Sequence, residues 1–131
     1  MKTLALISVA FLGIKACTPD ETLRAYGGAD RTWQLIELNG EEYTAAATLT
    51  FPETGEIVGQ GPCNGFSASL TVPYPWFGAE NLISTRRTCP DQAAETAFLQ
   101  ALQTASLSEV AGDMMILSTD TGLMLVFTAA D

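Results

Sequence analysis

Phe66-Ser67-Ala68-Ser69-Leu70-Thr71-Val72 sets an apolar side chain at every second position and a small polar one between. Successive side chains of a strand point to opposite faces, so this run describes a strand with one buried and one wet face. Upstream the pattern repeats. Glu56 to Gln60 reads as a strand after the turn Pro52-Glu53-Thr54-Gly55, and Ala47, Leu49 and Phe51 alternate with Thr48 and Thr50. Trp33-Gln34-Leu35-Ile36-Glu37-Leu38 is rich in strand formers and stops at Asn39-Gly40, a strong hairpin pair. Downstream, Pro73-Tyr74-Pro75 interrupts, and Trp76 to Ile83 is expected to form a further strand.

The period changes after Pro90. Ala94, Phe98, Ala101, Leu102 and Ala105 fall at helical spacing, with Asp91 and Glu95 near the positive end of the helix dipole. Pro90 suits the first helical position, which makes Thr88 or Cys89 the N-cap. Met114 to Leu117 and Leu123 to Phe127 then flank Ser118-Thr119-Asp120-Thr121-Gly122 as a hairpin. Both are apolar on both faces and are expected to lie centrally under the helix. The pattern predicts an α+β domain: a mostly antiparallel curled sheet or partial barrel of about seven strands, packed on one helix.

The N-terminus reads differently. Met1-Lys2-Thr3 is followed by an apolar run from Leu4 to Ile14, then Ala16 and Cys17. A positive start, a short apolar segment and a small residue at the cut describe an export signal. The run is too short to span a bilayer, which needs about 20 apolar residues. Ile14-Lys15-Ala16-Cys17 resembles a bacterial lipoprotein processing site, which implies that Cys17 becomes an acylated N-terminus. By analogy with the sorting rule of enteric bacteria, Thr18 in place of aspartate implies the outer membrane, facing the periplasm. The expected organisation is a signal peptide over 1–16, a flexible tether over 17–30 and one domain over 31–131.

Loss of the signal removes Lys2 and Lys15, leaving four arginines against 15 acidic residues, a net charge of −11. No lysine or histidine remains. Nucleic-acid binding needs a basic face and is not expected. Membrane attachment is expected through the acyl chains alone, since an acidic domain is not drawn to anionic lipid.

Several blocks recur in one order: Trp33-x-Leu35-x-x-Leu38-Asn39-Gly40, Leu49-x-Phe51, Gly59-x-Gly61-x-Cys63-Asn64-x-Phe66, Thr85-Arg86-x-x-Cys89, Glu95-x-x-Phe98-Leu99-x-x-Leu102 and Gly122-Leu123-x-Leu125-x-Phe127. Over residues 31–128 this resembles the META domain family, which includes HslJ-like heat-inducible proteins of bacteria. Pro62 and Arg87 depart from the glycine and methionine common there. The resemblance implies a non-enzymatic role in envelope stress and names no ligand.

Cys63 and Cys89 are the two cysteines left in an exported domain, a setting in which such residues pair. The loop between them spans 26 residues, a closure worth roughly 3.5 kcal/mol. The alternatives are a reactive thiol or a metal pair, for which His and CxxC spacing are missing. Asn64-Gly65 favours a turn with positive φ that sets Cys63; functionally, Asn64 would line a shallow pocket beside Thr85. Arg86 and Arg87 are adjacent. In an extended segment one of them faces in, where Glu80 or Asp91 would be its partner; the pair serves either charge balance or contact with an anion. Ser84 and Thr85 have no base to activate them. Trp76 and Phe77, in the run Tyr74-Pro75-Trp76-Phe77, are either a protein-contact patch or the cap of a curled sheet. The expectation is a non-catalytic protein without cofactor or metal, whose partner is an envelope protein or small ligand met near Asn64, Thr85, Arg86, Trp76 and Phe77. The alternative is a lipid-anchored inhibitor of a lysozyme or protease, drawn by charge to a cationic enzyme.

Overall fold

The computed structural model describes residues 19–131, and both the expected signal segment and Cys17 lie outside the described residues. Trp33–Leu38 (β1) runs into Asn39-Gly40, whose φ values of 52° and 83° suit a two-residue hairpin turn, and the chain returns as Glu41–Glu42 (β2). Thr48–Thr50 (β3), Glu56–Gln60 (β4) and Gly65–Ser69 (β5) form an antiparallel meander, to which Glu80–Ser84 (β6) adds. The helix Gln92–Thr104 (α1) follows. Leu107–Ala111 (β7), Met114–Ser118 (β8) and Met124–Ala129 (β9) make a second meander. β9 joins the two by pairing with β1, giving the order β6-β5-β4-β3-β1-β9-β8-β7, with β2 also on β1. Every pairing is antiparallel. The fold is α+β: a curled half-barrel closed by one helix.

Alternation in sequence becomes alternation in burial. Phe66, Ala68 and Leu70 are buried while Ser67 and Ser69 are not. The inner face converges on α1, where the fully buried Phe98 ring lies 5.7 Å from that of Phe66 and 6.5 Å from that of Phe127. Burying one such ring stabilises by about 1.5–3 kcal/mol. Gly59, on β4, is glycine for space: a Cβ there would lie 2.6 Å from the Thr48 carbonyl oxygen.

The expected α+β fold, a curled antiparallel sheet on one helix, is found, and four details differ. First, β2 and β7 bring the count to nine strands among the described residues, against about seven expected. β2 has only two residues, and in β7 only Ser108 is buried, so neither carries a hydrophobic period. Second, the run Trp76 to Ile83 is not one strand. Trp76 forms a lone bridge to Leu107, and β6 begins at Glu80, with a register shift against β5 and Asn81 at φ 54°. Third, α1 begins at Gln92 after Asp91, not after Thr88 or Cys89. The Gln92 N–H bonds to the Cys89 carbonyl at 3.1 Å, which makes Pro90-Asp91 a turn ahead of the helix. Ala94 is only half-buried, and Glu95 turns inward in its place.

The fourth correction concerns the expected tether. Leu23–Tyr26 is a 3-10 turn whose Leu23 is fully buried in the core. Arg24 donates to the Phe51 carbonyl at 2.9 Å, Tyr26 stacks on Tyr74 with ring centres 4.8 Å apart, and the Trp33 indole N–H reaches the Gly28 carbonyl at 3.0 Å. Residues 22–30 are therefore packed on the domain. A short polar, glycine-containing run hides one leucine that finishes the core.

Candidate binding site

The link between β4 and β5 is built around a carboxylate. Glu95, in the first turn of α1, is 2% exposed. Its Oε2 accepts the N–H groups of Cys63 and Asn64, each at 2.7 Å, and its Oε1 accepts the Asn64 side-chain amide. Burying a carboxylate is costly, and these three donors offset the cost. Gly61 makes room for it, since a Cβ there would lie 2.7 Å from Glu95 Oε2.

Asn64, itself 4% exposed, passes the constraint onward. Its Oδ1 accepts the Thr85 hydroxyl at 2.8 Å and the Arg87 N–H at 2.7 Å, while its Nδ2 also donates to the Arg87 carbonyl at 2.9 Å. The expected positive φ at Asn64 is not found. Its side chain organises the site, and its backbone needs no special conformation. Cys63 and Cys89 form a disulfide with Cα atoms 5.6 Å apart. The loop 85–88 is thus held by the Thr85 N–H bond to Gly65, by Asn64 in the middle and by the disulfide beyond.

That loop presents Arg86 and Arg87 to solvent. Neither turns inward to Glu80 or Asp91 as expected, because the chain leaves the strand at Ser84 and opposite-face alternation no longer applies. Arg24 pairs with Asp20 at 3.7 Å, and Arg31 pairs with Asp113 at 2.7 Å and Asp131 at 3.5 Å. Among the described residues, Arg86 and Arg87 have no such partner. Beside them lies a cavity of about 260 Å³, walled by Asn64, Ser84 and Thr85 on one side and by Gln92, Thr96 and Leu99 of α1 on the other. Gln92 Oε1 is buried with no hydrogen-bond partner among the described residues.

The structure therefore brings Asn64, Thr85 and Arg86 together and leaves Trp76 and Phe77 out of this cavity. Phe77 is a core residue, 4% exposed, which removes it as a contact residue, while Trp76 is 56% exposed. Their segment covers the edge of β7: the Ser108 N–H bonds to the Pro75 carbonyl at 2.7 Å and the Phe77 N–H to the Ser106 carbonyl at 2.9 Å. Among the described residues, no three His, Cys, Asp or Glu side chains gather as metal ligands would.

Two further ionisable groups are perturbed. The Tyr43 hydroxyl donates to the Ala94 carbonyl at 2.9 Å. Burial, helped by the negative charges of Glu95 and Asp91, pushes its pKa up to about 12. Burial opposes ionisation of Asp20, but hydrogen bonds from Thr22 and Thr54 and the charge of Arg24 outweigh it and hold this carboxyl below its usual value. The residues that reading of the sequence missed are Glu95 as a buried acceptor, Gly61 as its space, and Gln92. Glu95 and Gly61 stand in the quoted motif blocks, but a bond from Glu95 to Cys63 across 32 residues has no local signature.

An antiparallel half-barrel closed by one helix, with a disulfide-pinned loop at its rim, defines the class as a small single-domain α+β protein. The META domain model matches residues 26–131, and the chain belongs to the META domain family. Among solved structures, a protein from Burkholderia xenovorans is similar at 25% identity and a TM-score of 0.62, over 86% of this chain and 91% of that one. A DUF4847 family protein from Bacteroides vulgatus ATCC 8482 is similar at 14% identity and a TM-score of 0.63, over 81% of this chain and 96% of that one. The second likeness is one of fold alone. Among curated proteins none matches this chain.

Proposed function

We propose that this META domain protein is a non-catalytic binding protein of the bacterial envelope, lipid-anchored through Cys17, whose contact surface is the Arg86–Arg87 loop. One observation carries the reading. A buried Glu95, an Asn64 side chain with four hydrogen bonds and a disulfide all act to fix a loop whose two exposed arginines have no carboxylate partner among the described residues. Fixing a loop before its partner arrives lowers the entropy cost of binding. In a domain of net charge −11, unpaired adjacent cations suit an external anion or carboxylate. A stress-protective role at the envelope follows from the family resemblance.

Affinity capture from intact envelopes tests this. The wild-type protein is expected to retain a partner that the Arg86→Ala/Arg87→Ala double variant loses, with unchanged melting temperature. Equal capture by both proteins removes the loop from the reading. Capture of a lysozyme or protease with loss of its activity would instead assign an inhibitor. Turnover of cell-wall glycan that disappears when one carboxylate becomes its amide would overturn the non-catalytic reading.

A further inference from the structure

The two ends of the sheet are finished differently. At β7, Trp76 bridges to Leu107, and Pro75 and Phe77 bond to the backbone of Ser108 and Ser106. At the other end β6 pairs with β5 alone among the described residues. Thr85 N–H bonds to Gly65, and Ser84 stands opposite Phe66. Bonded and non-bonded positions alternate along an antiparallel pair, so with Thr85 bonded to Gly65 the backbone groups of Ser84 turn away from β5, ahead of the register shift at Asn81 and Leu82. Such groups are a template for another strand. β6 contains neither the lysine nor the proline that would blunt this edge, and its Ile83 is 71% exposed. Ser84 also opens onto the cavity whose far wall is α1, where Gln92 Oε1 is buried with no donor among the described residues. Arg86 and Arg87 follow one residue beyond the strand's end.

We propose that the groove between β6 and α1 receives an extended segment of a partner protein, which adds to β6 as a strand and sets an acidic side chain on Arg86 or Arg87. Main-chain bonds to Ser84 supply affinity, an aliphatic side chain meets Ile83, and the arginines select the acid. This rests on the reading of the arginine loop as the contact surface and adds how the partner is held. A second copy of this chain is disfavoured, because two domains of net charge −11 repel one another.

The probe is a fluorescent peptide of alternating valine and threonine ending in two aspartates, titrated by anisotropy into the purified protein. Saturable binding is expected. It should weaken about tenfold or more when alternate peptide amides are N-methylated, and similarly with Ser84→Pro, with Arg86→Ala/Arg87→Ala, or when lysines replace the aspartates. The methylated peptide tests the backbone pairing without altering the protein, which covers the case of a misfolded Ser84→Pro. Binding that survives methylation but falls with the arginine variants overturns strand addition and leaves the arginine loop as an anion surface. Binding indifferent to the arginines overturns the acidic partner. Lack of saturation overturns the proposal, as does a dimer of this chain, seen by light scattering, that Ser84→Pro dissolves.

Discussion

Replacing Glu95 by glutamine keeps its volume but sets an amide N–H against groups that are themselves donors. Cys63 N–H, Asn64 N–H and the Asn64 amide all point at this side chain. At least one buried donor then lacks an acceptor, which costs about 1–3 kcal/mol. Glu95→Gln is expected to lower Tm, by roughly 4–8 °C for each kcal/mol lost in a domain of this size. Thermal melts check this, and an unchanged Tm would mean that the network adjusts freely. Tyr43 gives a prediction of opposite character. Its pKa is raised to about 12, so between its ordinary value near 10 and that limit the folded state holds a proton the unfolded state has released. Its contribution is fully present below pH 10 and declines as pH rises towards 12. Absorbance titration should show a tyrosine step near pH 12, and Tyr43→Phe should abolish that step. At this scale the sequence was legible in part. Cysteines, Asn64, Thr85 and the arginines stood out because their chemistry is uncommon. Glu95 did not, because an acid in a first helical turn already has a sufficient explanation in the dipole.

Strands with one wet face declared themselves, and β4 and β5 lie where the pattern put them, while α1 keeps Phe98, Ala101 and Leu102 on its buried face but starts at Gln92 and turns Glu95 inward in place of Ala94. β7 did not, because it sits at the end of the sheet with one buried side chain, and its place is set by pairing with β8. β6 was misplaced because the apolar residues Trp76 and Phe77 serve the β7 edge while the strand proper begins four residues later at Glu80. The disulfide links elements that hydrogen bonds already join: Cys63 sits on the Glu95 network, and Cys89 just before α1. Cys63→Ser therefore removes the closure of a 26-residue loop, worth roughly 3.5 kcal/mol. Tm is expected to fall clearly while the far-UV circular dichroism well below the transition stays native, because Asn64 and Glu95 still hold the loop. Mass spectrometry without reductant should show Cys63 joined to Cys89 in the wild type. Two freely alkylated thiols in native material would contradict the observed bond.

The whole molecule joins a strongly acidic domain to an expected lipid anchor, and the packing of its first described residues limits how far apart the two lie. Leu23 is fully buried, so the chain is fixed to the domain there. Leu23 lies six steps along the chain from Cys17, and a fully extended chain covers at most about 3.6 Å per residue. An acyl group on Cys17 would then hold the Leu23 side of the domain within ~20 Å of the bilayer surface. That is a much shorter reach than a tether running to residue 30 would allow. Arg24, the nearest arginine, is committed to Asp20 and the Phe51 carbonyl, so the acidic domain offers anionic lipid little attraction and an acyl group on Cys17 would have to keep it there alone. In bacteria grown with a palmitate analogue, the wild-type protein should carry the label and sediment with membranes. Cys17→Ala should lose the label and release the protein to the soluble fraction, with Tm unchanged because Cys17 precedes the packed segment. A wild-type protein that is unlabelled and soluble would refute the anchor while leaving the fold, the disulfide and the arginine loop as they stand.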